Sequence, residues 1–118
     1  MRTLLATASL LLAVFAGTAA QAHAFLDHAS PLVGGTVAAA PHEVTLWFTQ
    51  SIEPAFSRAE VTDANGARVD QGKAQVSGST MRVGLKPVGA GTYRVHWHVL
   101  SVDTHTSQGS FTFHVGGR

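Results

Sequence analysis

The stretch that decides the fold reads Tyr93-Arg94-Val95-His96-Trp97-His98-Val99. Apolar and polar side chains alternate in it with a period of two, which is the pattern of a β-strand with one face in the core and the other in water. The same alternation recurs in three further runs, Val44 to Phe48, Met81 to Leu85 and Phe111 to Val115. No segment after residue 22 shows the 3.6-residue period of a helix. The chain is therefore predicted to be all-β.

Turn residues separate these runs from three weaker predicted strands, Phe25 to Ala29, Ala59 to Asp63 and Ala67 to Gln71. Asn65-Gly66, between two short runs, is a strong hairpin signal. About seven short strands with frequent turns indicate a two-sheet antiparallel sandwich. Tyr93 opens a long strand behind a glycine-rich turn, which suits a tyrosine corner.

The first 22 residues have the organisation of a secretory signal peptide. Arg2 precedes an apolar run that extends to Phe15, and Ala20-Gln21-Ala22 supplies the small-x-small cleavage signature. The alternative is a membrane anchor, but the run is shorter than the roughly 20 residues that a spanning helix needs. We therefore expect a cleaved signal peptide over residues 1–22 and one exported domain over residues 23–118, with no membrane insertion after cleavage.

The mature domain is close to neutral. Loss of Arg2 leaves seven Lys and Arg against seven Asp and Glu, which argues against nucleic acid or an anionic membrane as a partner. The chain contains no cysteine, so disulfides and thiolate metal sites are excluded. Met81 is the one thioether left after processing. A bound metal should therefore take imidazole, amine and carboxylate ligands.

Cleavage after Ala22 would make His23 the first residue of the mature protein. The α-amine and the ring Nδ1 of a terminal histidine can chelate one metal ion, which an internal histidine cannot do. Asp103 and His105 lie two positions apart, and in extended backbone such residues point to one side about 6.5 to 7 Å apart. Taken alone, an Asp-x-His triplet is also common in solvated loops.

Together His23, Asp103 and His105 supply three nitrogens and one oxygen. Such a set suits tetragonal Cu(II) better than tetrahedral zinc. Because amine and imidazole must lose protons to bind a metal, we expect the affinity to fall as the pH falls.

The remaining histidines admit two interpretations. His96 and His98 share the strand face opposite the apolar row, and they could form a second metal site with His114 if its strand is adjacent. The alternative is that all three are exposed strand histidines. His28, close to the mature start, could contact the first site or nothing, and His42 is expected in a solvated turn.

These residues together resemble the CopC family of periplasmic copper-binding proteins. The resemblance is carried by His23-Ala24, Ser30-Pro31, Val44 to Phe48, Ile52 to Ser57, Gly91 to Val95, and the block Ser101-Val102-Asp103-Thr104-His105 followed by Gly109-Ser110-Phe111. It implies an immunoglobulin-like Greek-key β-sandwich and a Cu(II) site formed by His23, Asp103 and His105.

The resemblance also marks two departures from the family. Some members add a Cu(I) site from a methionine-rich loop, which this chain lacks. Members often carry an acidic residue where this sequence has Gln50, and Glu53 is the nearest acidic substitute in sequence.

By resemblance, the protein is expected to be a monomeric, non-catalytic Cu(II) carrier or buffer in the periplasm. It would serve copper resistance or homeostasis, with an inner-membrane CopD-type protein as its partner. One alternative is a histidine-brace copper oxidase or monooxygenase, although Asp103 would occupy a position that oxygen activation needs open. Another alternative is a metal-independent interaction module of the same fold, which would be indifferent to copper.

Overall fold

A computed structural model describes residues 24–116, so the predicted signal peptide and His23 lie outside the described residues. Eight strands follow one another along the chain: β1 Leu26–Ser30, β2 Thr36–Val37, β3 Glu43–Phe48, β4 Arg58–Thr62, β5 Gln75–Ser77, β6 Thr80–Gly84, β7 Gly91–Leu100 and β8 Thr106–Val115. Within residues 24–116 the one helical segment is a 3₁₀ turn, Pro54–Phe56, and no helix is long and apolar enough to cross a membrane.

The strands form two four-stranded sheets. The first has the order β1-β3-β6-β5 with antiparallel pairs throughout. The second has the order β2-β8-β7-β4, in which β2 runs parallel to β8 and the other pairs are antiparallel. Because the chain crosses between the sheets repeatedly, the connections are those of a Greek-key sandwich. The predicted all-β immunoglobulin-like fold is confirmed, with eight strands rather than about seven.

The core lies between the two sheets. The inward residues of the alternating strands are fully or almost fully buried, including Leu46, Met81, Val95 and Phe113. Burial of each such side chain stabilises the fold by about 1.5–3 kcal/mol. Since the chain has no cysteine, the fold depends on this packing and not on disulfides.

The two predicted turn features are confirmed. Gly66 has a φ of +85°, and its N–H donates to the carbonyl of Asp63 at 3.0 Å, so Asn65-Gly66 turns the chain. The Tyr93 hydroxyl donates to the carbonyl of Gly89 at 2.7 Å, which is the bond of a tyrosine corner.

The strand predicted over Ala67 to Gln71 does not form; the segment makes only isolated bridges. The side chain of Asp70 is buried and accepts hydrogen bonds from backbone N–H groups, which would otherwise pair with carbonyls of a neighbouring strand. Asp70 accepts from the N–H of Val61 at 2.8 Å and of Gly72 at 2.9 Å, and from Nε of Arg68 at 2.7 Å. An inward carboxylate therefore replaces regular pairing in this segment.

The longest ladder of the sandwich leads to the candidate site. β7 and β8 pair over ten residues, and their connection is residues 101–105. Near that end, Gly109 lies opposite Trp97, and a Cβ at Gly109 would come within 2.6 Å of the indole Cζ2. The glycine that closes the Asp-x-His-x-x-x-Gly block is therefore required for the packing of this indole.

Candidate metal centre

Asp103 and His105 lie in the tight connection between β7 and β8. The N–H of Ser101 donates to the carbonyl of His105 at 2.9 Å, and the N–H of Thr104 donates to the carbonyl of Ser101 at 2.8 Å. Ser101 is fully buried, and its hydroxyl oxygen accepts from the N–H of His105 at 3.3 Å. Both predicted ligands are thus exposed on a loop whose base is held by a buried serine.

The local geometry of this loop differs from the extended backbone assumed for the two ligands. Thr104, between them, has a φ of +72°, and no other non-glycine residue of the described chain has a positive φ. A β-branched residue in the left-handed region costs about 1–3 kcal/mol. Its hydroxyl donates to the carbonyl of Asp103. Asp103 and His105 therefore share a strained turn rather than one face of a strand.

A second segment runs alongside the base of the loop. Ile52 forms an antiparallel bridge with Ser101, and the N–H of Val102 donates to the carbonyl of Ser51 at 3.1 Å. Gln50 immediately precedes this paired segment.

Glu53 lies at the other end of this pairing. Its N–H donates to the carbonyl of Leu100 at 2.8 Å. Glu53 is thus paired with the end of β7, and its role as a substitute for an acid at position 50 stays a prediction.

The first described residues are fixed beside the same loop. Ala24 is fully buried, and its carbonyl accepts from Oγ of Ser107 at 2.5 Å. The N–H of Phe25 donates to Oγ1 of Thr49 at 2.9 Å, and its carbonyl accepts from the N–H of Thr49 at 2.8 Å. Ser107 follows the last candidate ligand of the loop by two residues. The chain is thus anchored at the residue that follows His23.

Only part of the predicted ligand set lies within the described residues. Asp103 and His105 are brought together in one loop, whereas His23 lies outside the described residues. Residues 24–116 contain no cluster of three or more His, Cys, Asp or Glu side chains that could hold a metal ion. A complete site at this loop needs a ligand from elsewhere, and the role of His23 stays a prediction.

The possible second site is not formed. The strand of His114 is adjacent, as that interpretation required, but the register places His96 opposite Ser110 and His114 opposite Thr92. His114 Nδ1 lies 2.9 Å from the Thr92 hydroxyl. Ser110 and His114 are four positions apart in β8, which is about 14 Å along the strand. His96 and His98 therefore cannot share an ion with His114.

The other two histidines have separate surroundings. The ring of His28 stacks on Trp47 with centroids 4.3 Å apart, and its Nδ1 lies 2.7 Å from a carboxylate oxygen of Asp27. His42 is exposed in a turn, as expected. The contacts of His28 point to a surface role in β1 rather than to the candidate metal centre.

Sequence reasoning missed the residues that anchor Ala24 and Phe25. A signal for Ser107 was available, because it stands in the inward row of β8 that includes Phe111 and Phe113. A hydroxyl in such a row needs a partner, since an unpaired buried polar group is costly.

Comparisons with known proteins agree with this fold. A family model described as the CopC domain matches residues 26–116. Copper resistance protein C of Xanthomonas campestris pv. juglandis is 33% identical over 123 residues, covering 97% of this chain and 96% of that protein. The crystal structure of CopC from Methylosinus trichosporium OB3b has a TM-score of 0.77 at 32% identity, covering 81% of this chain and 96% of that chain.

A third relative is much longer than this chain. Copper transport protein CutJ of Bacillus subtilis (strain 168) is 32% identical over 111 residues, which are 91% of this chain but 20% of that protein. The region of similarity is thus a small part of a longer protein in that organism.

Proposed function

Because this chain belongs to the CopC family, we propose that it is a periplasmic Cu(II) carrier or buffer that binds the ion with His23, Asp103 and His105. A copper-related role is common to its named relatives. The observation that supports the ligand set best is the hydrogen bond from Ser107 to Ala24, because it holds the start of the described chain next to the loop.

The predicted terminal ligand is bonded directly to this anchored residue. Consecutive Cα atoms are about 3.8 Å apart across a trans peptide, so His23 can lie no farther than that from the Cα of the buried Ala24. Cleavage after Ala22 would free an α-amine there, and amine and Nδ1 would bind one ion as a chelate. The imidazole of His105 and an oxygen of Asp103 complete a tetragonal N,O set of the kind that Cu(II) prefers.

The available ligands support the proposed oxidation state. Met81 is the one methionine of the mature chain, and it is fully buried in β6. Without cysteine or an exposed thioether, the domain offers no soft ligands of the kind that select Cu(I). We therefore assign the site to Cu(II) and propose no Cu(I) site.

A carrier must release its ion to another protein. Asp103 and His105 are exposed, so a partner can reach them without unfolding the domain. We propose an inner-membrane CopD-type protein as this partner and a monomer as the acting form. The similarity to 20% of CutJ supports such a pairing, because in that protein a related domain is joined covalently to a longer chain named for copper transport.

The decisive experiment compares the mature protein, beginning at His23, with a form in which the α-amine of His23 is acetylated. Acetylation turns the amine into an amide and removes the chelate ring without adding a new donor, while the rest of the domain stays the same. We expect the Cu(II) affinity, measured by competition with a chromogenic chelator, to fall by roughly 100-fold or more, since even indirect contacts to a metal contribute about 10–100-fold. The nitrogen-rich tetragonal EPR spectrum should be lost together with the affinity.

Side-chain variants test the rest of the set. His105→Ala should weaken Cu(II) binding strongly, and Asp103→Asn less, because the amide keeps an oxygen but loses the charge. His42→Ala removes an exposed histidine far along the sequence and serves as the matched control. Equal affinities for the mature and the acetylated protein would contradict the proposed ligand set.

The oxidase alternative has its own readout. Peroxide formation by the copper-loaded protein with ascorbate and oxygen, at a rate above that of free copper, would favour an oxidase over a carrier.

A further inference from the structure

We infer that Ala24, Phe25, Thr49 and Ser107 form an N-terminal clamp that holds the metal-binding end of the chain against the Asp103–His105 loop before copper arrives. This inference rests on the proposed function and adds positioning residues to it. None of the four is a proposed ligand, and each acts only through the placement of the neighbouring residue.

The clamp takes one side chain from each sheet. Ser107 belongs to β8 of the second sheet, and its hydroxyl donates to the carbonyl of Ala24 at 2.5 Å. Thr49 directly follows β3 of the first sheet and makes two hydrogen bonds with the backbone of Phe25, at 2.9 and 2.8 Å. The start of the described chain is therefore held between the two layers of the sandwich rather than along the surface of one.

The size of Ala24 is part of the clamp. Its side chain is fully buried, so a larger residue would have to displace the backbone or its neighbours. Any such displacement would move the preceding residue away from the loop. A small second residue is therefore a requirement of the site.

Packing alone does not explain why position 107 carries a hydroxyl group. Ser107 is half-buried, and in the inward row of β8 an apolar side chain would be the ordinary choice, because a hydroxyl withdrawn from water adds to stability when it has a partner. The partner in this structure is the carbonyl of Ala24. An alanine at position 107 would leave that carbonyl unpaired while leaving every proposed ligand in place.

A clamp matters for affinity because chain ends are otherwise poorly ordered. If the end were loose, the metal would have to order it on binding. The conformational cost of ordering one residue corresponds to roughly a tenfold change in an equilibrium constant. We therefore expect loss of the clamp to weaken Cu(II) binding by about tenfold, and to do so without removal of any donor atom.

The test uses Ser107→Ala together with the pair Ser107→Thr and Ser107→Val, which have the same shape and differ in the hydroxyl. In the copper-free mature protein, hydrogen exchange of the Phe25 amide, measured by NMR, should be faster in the Ala and Val variants and near wild type in the Thr variant. Cu(II) affinity should fall about tenfold in the first two and recover in the third. Ser110→Ala, in the same strand, is the control for losing a serine hydroxyl from β8.

The outcomes separate the clamp from the ligand set. Wild-type exchange and wild-type Cu(II) affinity in the Ala and Val variants would overturn the clamp, whatever the ligands are. If the acetylated protein binds Cu(II) as well as the mature protein does, the proposed ligand set fails. Exchange of the Phe25 amide in the copper-free Ser107 variants still reports on the clamp in that case.

Discussion

Replacement of Asp70 by asparagine should show how strongly one buried carboxylate stabilises this fold. The side chain is 1% exposed. It accepts hydrogen bonds from the backbone of Val61 at 2.8 Å and of Gly72 at 2.9 Å, and from Nε and an η nitrogen of Arg68 at 2.7 and 2.8 Å. Four donors therefore converge on one anion.

The expected loss can be worked from these bonds. Asparagine has nearly the same shape but one acceptor oxygen, and its NH₂ group would meet donors. A hydrogen bond to a charged group contributes about 1.5–3 kcal/mol. The Arg68 side chain is 50% exposed and can regain water, so its share is discounted. We expect Asp70→Asn to lower the free energy of unfolding by about 3 kcal/mol at pH 7, or about 12–24 °C in Tm for a domain of this size.

The difference should depend on pH. Burial by itself raises the pKa of Asp70, but the hydrogen bonds from Arg68, Val61 and Gly72 outweigh it, and the pKa lies below the ordinary value of 3.8. The contribution of the carboxylate to stability is therefore complete above that ordinary value and is lost as the pH falls through the lower folded-state pKa. Wild type should approach the variant in stability as the pH is lowered below 3.8.

The assay is urea unfolding followed by tryptophan fluorescence, at pH 7 and at several acidic pH values. Asp63→Asn is the matched control, because Asp63 accepts the amides of Asn65 and Ala67 through one oxygen, at 2.9 and 3.0 Å, which asparagine retains. The control should change stability by less than about 0.5 kcal/mol. An equally small effect of Asp70→Asn at pH 7 would refute the reasoning. So would a stability difference between wild type and variant that does not change with pH.

Two further predictions concern backbone positions. Gly109→Ala puts a Cβ 2.6 Å from Cζ2 of Trp97 and should lower the free energy of unfolding by about 1–3 kcal/mol in urea titrations; Gly84→Ala, which meets only the movable amide end of Gln71 at 2.6 Å, should cost clearly less. Thr104→Asn relieves a left-handed β-branched residue and should raise stability by about 1 kcal/mol, or about 4–8 °C in Tm by circular dichroism. An unchanged or lower Tm would show that Thr104 is not strained.

Most of the fold could be predicted because its signals are local. Alternation identifies the inward row of a strand from neighbouring residues alone, and the buried Val95 and Phe113 confirm it. β2 at Thr36–Val37 escaped notice because two residues cannot show a period, and its parallel pairing with β8 is set by the rest of the sheet. The strand assigned to Ala67 to Gln71 was wrong because nothing in the sequence indicates that Asp70 turns inward.

The candidate site was only partly predictable. The motif correctly places Asp103 and His105 in one loop, but a left-handed turn at Thr104 could not be expected, since β-branched residues disfavour that backbone. Ser107 stands in an inward row, yet its partner Ala24 lies 83 positions away. Local patterns carry no information about such a contact.

That separation of 83 positions also bears on the order of folding. Asp103 and His105 belong to a single hairpin, and hairpins form within microseconds, whereas docking of a remote terminus must overcome a larger loop-closure entropy. The contact between Ala24 and Ser107 is therefore expected to form after the β7–β8 hairpin. Under the proposed ligand set, a chain in which this contact has not yet formed would bind copper more weakly than the complete sandwich.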